Sequence, residues 1–485
     1  MTDPAVHAFS AKKLNQCFKE GSLSAEKIAI HFLNRIQTID PQVKAFLSVF
    51  EDVVEQARQL DKKRALGKPY GKFAGVPVSV KDLIHIRGKK TTCASKFLEN
   101  YTAPFNATVI DYLQREDALL IGKVNLDEFG MGALGKNSAF QVTCNPWNID
   151  YFAGGSSSGS AASVAARMCP LSLGSDTGGS IRLPASFCGV YGFKPSYGSV
   201  SRYGLVSFAS SLEQIGFLSH SAEDLKMFFS CINQKCSFDA QWRKIEEKPM
   251  ALHLKDVSIG WTPALLESSG PTVSKTIHKA KTQLEQAGAK FVPLSCSLDA
   301  WKNALLAYHV ICSSEASTNL ARFDGIRFGN RITRPSFWDT ISVTRSTQLG
   351  QEVKSRILTG TYYLSAMQHK SYYRAALEEV QFLKRLYRDL FNQVDLILMP
   401  ASSCTAIPIG TQLSCTEQHL LDIYTCPANL AGLASLSFPV AICDDGLPMG
   451  CQLLAPQGKD YSVLELASQI NSLFTVPAPT LDFVK

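Results

Sequence analysis

The segment from Gly154 to Arg182 constrains this chain more than any other. Residues 154–160 read Gly-Gly-Ser-Ser-Ser-Gly-Ser, and residues 174–182 read Gly-Ser-Asp-Thr-Gly-Gly-Ser-Ile-Arg. Between them Ser160 to Met168 is small and helix-compatible, which allows close packing. The bland reading is a pair of flexible loops. Flexible linkers, however, do not enclose Leu171-Ser172-Leu173 or lead into Leu183-Pro184-Ala185. Glycine reaches backbone conformations closed to other residues and lets the main chain approach a ligand. Phosphate cradling fails on detail: there is no G-x-x-x-x-G-K-[ST], and no G-x-G-x-x-G follows a strand here. Acyl transfer needs a nucleophile, a base and backbone N–H donors for an oxyanion. Ser180, after Gly178-Gly179, offers a nucleophile flanked by unobstructed N–H groups. The base need not be histidine, because desolvation can lower a lysine pKa until a neutral amine exists near pH 7.

The rest of the chain reads as interleaved strands and helices, hence α/β. Ser24 can cap a helix with Ile28, Phe32, Leu33 and Ile36 on its apolar face, ending before Pro41. Val53, Val54, Ala57 and Leu60 mark a second helix. In Val76-Pro77-Val78-Ser79-Val80-Lys81 the valines share one face of a strand and Lys81 points to the other. Ala118 to Gly122 reads as a buried strand, Tyr373 to Leu390 as a helix, and Val394 to Met399 as a strand closed by Pro400. Lys235 to Lys248 and Thr333 to Gly350 are polar surface excursions.

Composition narrows the class. With 45% hydrophobic and 19% charged residues, collagen, coiled coil and wholesale disorder are ruled out. The net charge of +7, from 49 basic against 42 acidic residues, is a weak excess without a dense basic block, so direct nucleic-acid binding is not demanded. The cysteines are scattered with no C-x-x-C, so no metal site is expected and free thiols suit a reducing, cytoplasmic compartment. Met1 to Phe18 lacks the apolar core of a secretory signal. Prolines break both long uncharged runs, Leu396 to Thr416 and Ile423 to Cys443, so no membrane span is expected.

Three stretches carry a resemblance: Gly75-Val76-Pro77-Val78-Ser79-Val80-Lys81-Asp82, Gly154 to Ser160, and Gly174 to Pro184. Together they resemble the amidase signature family. The resemblance implies one amidase domain over residues 1–485: N-terminal helices over about 8–65, a catalytic core over about 70–220, and a remainder that completes the sheet and substrate pocket. The implied fold is a mixed, twisted central sheet covered by helices on both faces. It also implies a Ser–cis-Ser–Lys triad of Ser180, Ser156 and Lys81, with a cis peptide bond before Ser156. Backbone N–H groups of the loop Thr177, Gly178, Gly179 and Ser180 would form the oxyanion hole, and Asp176 and Arg182 would brace it.

Residues 199–206, 209–216 and 315–325 narrow the resemblance to the glutaminase branch of tRNA-dependent amidotransferases. That branch hydrolyses glutamine and passes ammonia to a partner, the B subunit. The B subunit uses ATP and Mg²⁺ to activate misacylated Glu-tRNA, in some relatives also Asp-tRNA, and a small C subunit ties the two together. No cofactor is expected in this chain itself. Free glutamine needs a cation for its carboxylate and an anion for its ammonium. The corresponding positions are Arg356 and Asp422, with Tyr308 as an aromatic contact. Ser158 departs from a usual glycine and adds a side chain to a tight loop; Ser355 departs from a usual second arginine and Thr344 to Gly350 is also atypical, and these two bear on the carboxylate site.

Competing readings remain. A stand-alone amide hydrolase of the same family would share the triad. An α/β-hydrolase esterase would use Ser157 in G-x-S-x-G, but needs a strand into the elbow and a later histidine. Asn148 to Ala153 reads as a poor strand, and His309 and His369 read as ordinary helix-face residues. A non-catalytic interaction protein would have little reason to keep the triad.

Overall fold

The computed structural model of the chain describes residues 6–245, 252–267 and 269–481. Its strands are β1 (Phe46–Val49), β2 (Pro77–Lys81), β3 (Leu119–Val124), β4 (Cys144–Asn145), β5 (Asn148–Phe152), β6 (Leu171–Asp176) and β7 (Tyr191–Lys194). They continue as β8 (Gln214–Ser219), β9 (Ser258–Trp261), β10 (Lys290–Pro293), β11 (Leu396–Pro400), β12 (Ala434–Ile442) and β13 (Pro448–Ala455). One mixed sheet runs β1-β3-β2-β6-β8-β7-β12-β13-β11-β9-β10, and β4 and β5 form a separate hairpin. Strand β2 is parallel to both neighbours, β3 and β6, whereas β6 and β8 are antiparallel. Helices cover both faces, as expected.

Alternation along β2 sets up the site. Val76, Val78 and Val80 enter one hydrophobic core. Ser79 points the other way, where its hydroxyl lies 2.8 Å from that of Ser172 and 3.3 Å from that of Ser163. Lys81 shares this second face. The helix Ser158–Ala165 lies over it with every residue buried. Small residues permit that approach: a Cβ at Gly159 would stand 2.4 Å from the Ala45 carbonyl oxygen and 2.5 Å from the Asn125 nitrogen.

At the N-terminal end Ser24 accepts the Lys27 N–H at 3.1 Å and caps the helix Ala25–Val43, which buries Ile28, Phe32, Ile36 and Ile39. This helix does not stop before Pro41 but carries it in the last turn. Asp40 accepts the Ala45 and Phe46 N–H groups at 2.7 and 3.2 Å, and Lys44 at φ 57° turns the chain, so that end is held from outside the helical ladder. The Tyr373 to Leu390 periodicity yields the helix Ala375–Phe391, but Leu377 is exposed. Pro400 is the last residue of β11 and pairs with Cys451, on the side where no proline N–H is needed. Thr333 to Gly350 contains the surface helix Phe337–Gln348. In the other excursion residues 246–248 lie outside the described residues. Asn148 to Ala153, read as a poor strand, does form β5, but in the small hairpin and not in the central sheet. Among the described residues no helix is long and apolar enough to cross a membrane.

Candidate active site

Strands β2 and β6 run side by side and end together, so Lys81 meets both glycine- and serine-rich loops. Its Nζ donates to Ser156 Oγ at 2.8 Å, Ser157 Oγ at 2.9 Å and Ser175 Oγ at 2.9 Å. The side chain is fully buried. Burial pushes its pKa down to about 7, against the opposing pull of Asp127 and Asp176. The Gly155–Ser156 peptide bond is cis. Ser180 sits on the adjacent loop at 8% exposure, and its carbonyl accepts the Ser157 N–H at 3.1 Å. Among the described residues no hydrogen bond joins the Ser156 and Ser180 hydroxyls. The structure thus joins Lys81 to Ser156 directly and sets Ser180 beside them.

Asp176 and Arg182 are the opposite of two solvated charges. Both side chains are wholly buried and form a two-point pair, Arg182 Nε to Oδ2 at 3.0 Å and Nη2 to Oδ1 at 2.9 Å. Arg182 also donates to the Thr425 carbonyl at 2.9 Å and to Gln452 Oε1 at 2.8 Å, and Asn429 donates to Asp176 at 2.9 Å. Burial alone would raise the Asp176 pKa, but Arg182 overrides it and holds the carboxyl at about 2. Asp176 in turn accepts the N–H groups of Gly179 at 2.9 Å and Ile181 at 3.1 Å. The Gly179 N–H is therefore spent on bracing the loop, contrary to its expected place in the oxyanion hole. Among the described residues the N–H groups of Thr177, Gly178 and Ser180 have no acceptor.

Arg356 and Asp422, 66 positions apart, share the wall of a cavity of about 170 Å³ with Glu352, His309, His419 and Asn137. Arg356 donates from Nε to Glu352 at 2.6 Å and from Nη1 to Cys312 Sγ at 3.3 Å. Burial pushes the Asp422 carboxyl up to about 7, with Arg356 opposing the rise. Tyr308 stands behind this wall, not in it. It is buried against the catalytic loop, where a Cβ on Gly178 would lie 2.3 Å from its Cζ. The departures at Ser158 and Ser355 are absorbed. The Ser158 side chain packs against Gly135 and donates to Thr143 Oγ1 at 3.3 Å. Ser355 is exposed while Arg356 beside it is buried, so position 355 lies on the outer side of the helix Gln351–Leu364.

Sequence reasoning missed Ser157 and Ser175 as partners of Lys81, although both lie inside the strings it singled out. It also missed Asp127, whose carboxylate accepts the Gly135 and Asn137 N–H groups at 2.9 and 2.8 Å and so shapes the cavity rim. His309 is no ordinary helix-face residue: it lines the cavity, with its ring 3.7 Å from that of His419. Only pairing across more than a hundred residues reveals it. The esterase reading fails on Ser157, which is wholly buried between Lys81 and the Ser175 carbonyl and bonds to no histidine among the described residues.

A family profile described as Amidase matches residues 28–464. The chain belongs to the amidase family. This amidase is 44% identical over 468 residues to the A subunit of glutamyl-tRNA(Gln) amidotransferase from Protochlamydia amoebophila, covering 95% of each chain. It is 42% identical over 481 residues to the protein of that name from Chlamydia pneumoniae, covering 97% of each. The crystal structure of the A subunit of glutamyl-tRNA(Gln) amidotransferase from Thermotoga maritima matches it with a TM-score of 0.81 at 34% identity, over 99% of this chain and 100% of that one. A bacterial aryl acylamidase shares the amidase fold, with a TM-score of 0.82 at 22% identity over 96% of each chain.

Proposed function

We propose that this amidase is the glutaminase component of a tRNA-dependent amidotransferase and works with the B and C subunits of that enzyme. The observation that carries the reading is the buried Lys81 amine, 2.8 Å from Ser156 Oγ and titrating at about 7. A lysine so poised accepts a proton at neutral pH without help from histidine. Ser180 attacks the glutamine carboxamide carbon. Ser156 takes the Ser180 proton and passes its own to Lys81. The free N–H groups of Thr177, Gly178 and Ser180 receive the developing oxyanion. The proton returns through Ser156 to the leaving nitrogen, ammonia departs, and water then hydrolyses the acyl-serine.

Arg356 holds the glutamine carboxylate and Asp422 its ammonium, since a site that shuts out water must match both charges. The curated relatives support the partner assignment, with 42–44% identity over nearly their whole length. Ammonia passes to the B subunit, where ATP and Mg²⁺ serve amidation of misacylated Glu-tRNA(Gln). This chain holds no cofactor in that scheme. In the assembled complex Ser180→Ala abolishes glutamine-dependent amidation and leaves amidation with added ammonium salts intact. An equal loss of both activities overturns the division of labour.

A further inference from the structure

Asp127 is buried beside the triad and takes no part in the proton transfers. It follows β3 in a turn closed by the Gly130 N–H, which donates to the Asp127 carbonyl at 2.8 Å. The turn stands against the loop of Ser156: the Asp127 N–H donates to the Ser156 carbonyl at 3.1 Å, and a Cβ at Gly130 would lie 3.8 Å from Ser156 Oγ. The carboxylate sits in a cup of glycines. A Cβ at Gly155 would stand 2.0 Å from its Oδ2 and one at Gly132 2.5 Å from its Cγ. Both of its hydrogen bonds, from the Gly135 N–H at 2.9 Å and the Asn137 N–H at 2.8 Å, come from the segment 132–137, which walls the cavity shared by Arg356 and Asp422. The Gly155 N–H donates to the Ala133 carbonyl at 2.8 Å and ties the same segment to the Ser156 loop.

Nothing in these contacts cancels the charge. Both donors are neutral, and among the described residues no cation pairs with Asp127. Burying an unpaired carboxylate is costly, and a neutral acceptor could hold part of the same loop. The charge has a use at Lys81. Of the groups that favour the protonated amine, Asp127 acts most strongly, ahead of Asp176, Cys93 and Glu213. Asp176 is matched at two points by Arg182, and Asp127 has no such partner. Toward the cavity Asp127 faces Glu352 and opposes the ionisation of Asp422.

We propose that Asp127 is a positioning residue for glutamine hydrolysis: its carboxylate holds the wall of the glutamine cavity against the loop of Ser156, and its charge keeps Lys81 a strong enough base to take the Ser156 proton. The role rests on the function proposed above and adds to it a group without a hydrogen bond to any triad side chain. A buried anion acts across such a gap because little solvent lies between to screen it.

The test is glutaminase activity of the complex with the B and C subunits as a function of pH, for the unaltered chain, Asp127→Asn and Asp127→Ser. Removing the anion disfavours the protonated amine, so Lys81 loses its proton at lower pH and the acid limb of kcat moves down by about one unit. Asp422 also ionises at lower pH once its negative neighbour is gone, so the limb of kcat/KM moves the same way. Asparagine offers one acceptor oxygen to two N–H groups, and KM for glutamine rises roughly tenfold as the cavity wall loosens. Serine removes the same charge with less bulk against Gly155, so it reports the shift even where the asparagine variant does not fold. A residue that only held the loop would raise KM or lower kcat and leave the limb in place. That outcome, or an upward shift, overturns the proposal while the function stands. If the unaltered complex hydrolyses no glutamine, the function itself is wrong and this role falls with it.

Discussion

At the scale of single residues, two groups titrate near neutrality in opposite roles. In the proposed mechanism Lys81 must be neutral to act as a base, and Asp422 must be charged to hold an ammonium. Burial moves both to about 7, the lysine downward and the carboxyl upward. Both active forms are the deprotonated ones, so kcat/KM for glutamine climbs as pH rises through 7, with a logarithmic slope approaching two below it. Bound substrate fixes Asp422 in its charged form, so kcat alone shows a slope of one. Steady-state kinetics from about pH 5.5 to 9 checks this, and a slope of one in both parameters removes Asp422 from the site. Arg356→Ala raises KM for glutamine at least tenfold and leaves an amide without an α-carboxylate unaffected; Arg356→Lys recovers part of the loss, because an ammonium lacks the planar two-point contact. Lys81, Ser156 and Ser180 were legible because the loops that carry them are written as contiguous strings. Arg182 was legible only as a neighbour of its loop. Its other partners Thr425, Asn429 and Gln452 lie 243 to 270 positions away, a distance that no local pattern spans.

Among elements, the loop Asp176 to Ser180 is packed from two sides by side chains from distant parts of the chain. A Cβ on Gly178 would meet three Tyr308 ring and hydroxyl atoms at 2.3–2.6 Å. Gly178→Ala therefore displaces one of the free N–H donors and lowers kcat by about 10²–10³. Gly270→Ala, where nothing lies within 4 Å, leaves kcat unchanged. Comparing the two by kcat and thermal melting separates a displaced donor from general destabilisation. Amphipathic elements were readable from their period, as in the helices Ala25–Val43 and Val53–Ala65. Strand β13 was not, because all eight of its residues are buried and a strand covered on both faces shows no alternation. For the same reason the helix Ser158–Ala165 announces itself by residue size and not by an apolar stripe.

For the molecule as a whole, 49 basic against 42 acidic residues leave a surface with little claim on a phosphate backbone. Isolated chain binds tRNA weakly and loses it steeply with salt, and most of the affinity appears only when the B subunit is added. Titration at two salt concentrations, with and without the partner, tests this, and tight salt-resistant binding by the chain alone contradicts it. Strand order also sets when the molecule can first work. The proposed triad is spelled out by residue 180, yet β12 and β13, the last two strands among the described residues, sit in the middle of the sheet between β7 and β11. Gln452, on β13, is one of the acceptors that allow Arg182 to be buried beside Asp176. A chain emerging from the ribosome N-terminus first carries all three triad residues long before it carries that acceptor. Burying the guanidinium with part of its hydrogen bonding unmet is strongly unfavourable, so the loop Asp176 to Ser180 stays unset until synthesis is nearly finished. On the proposed function, unfinished chains accordingly release no ammonia, and glutamine is spared until a whole molecule exists to use it.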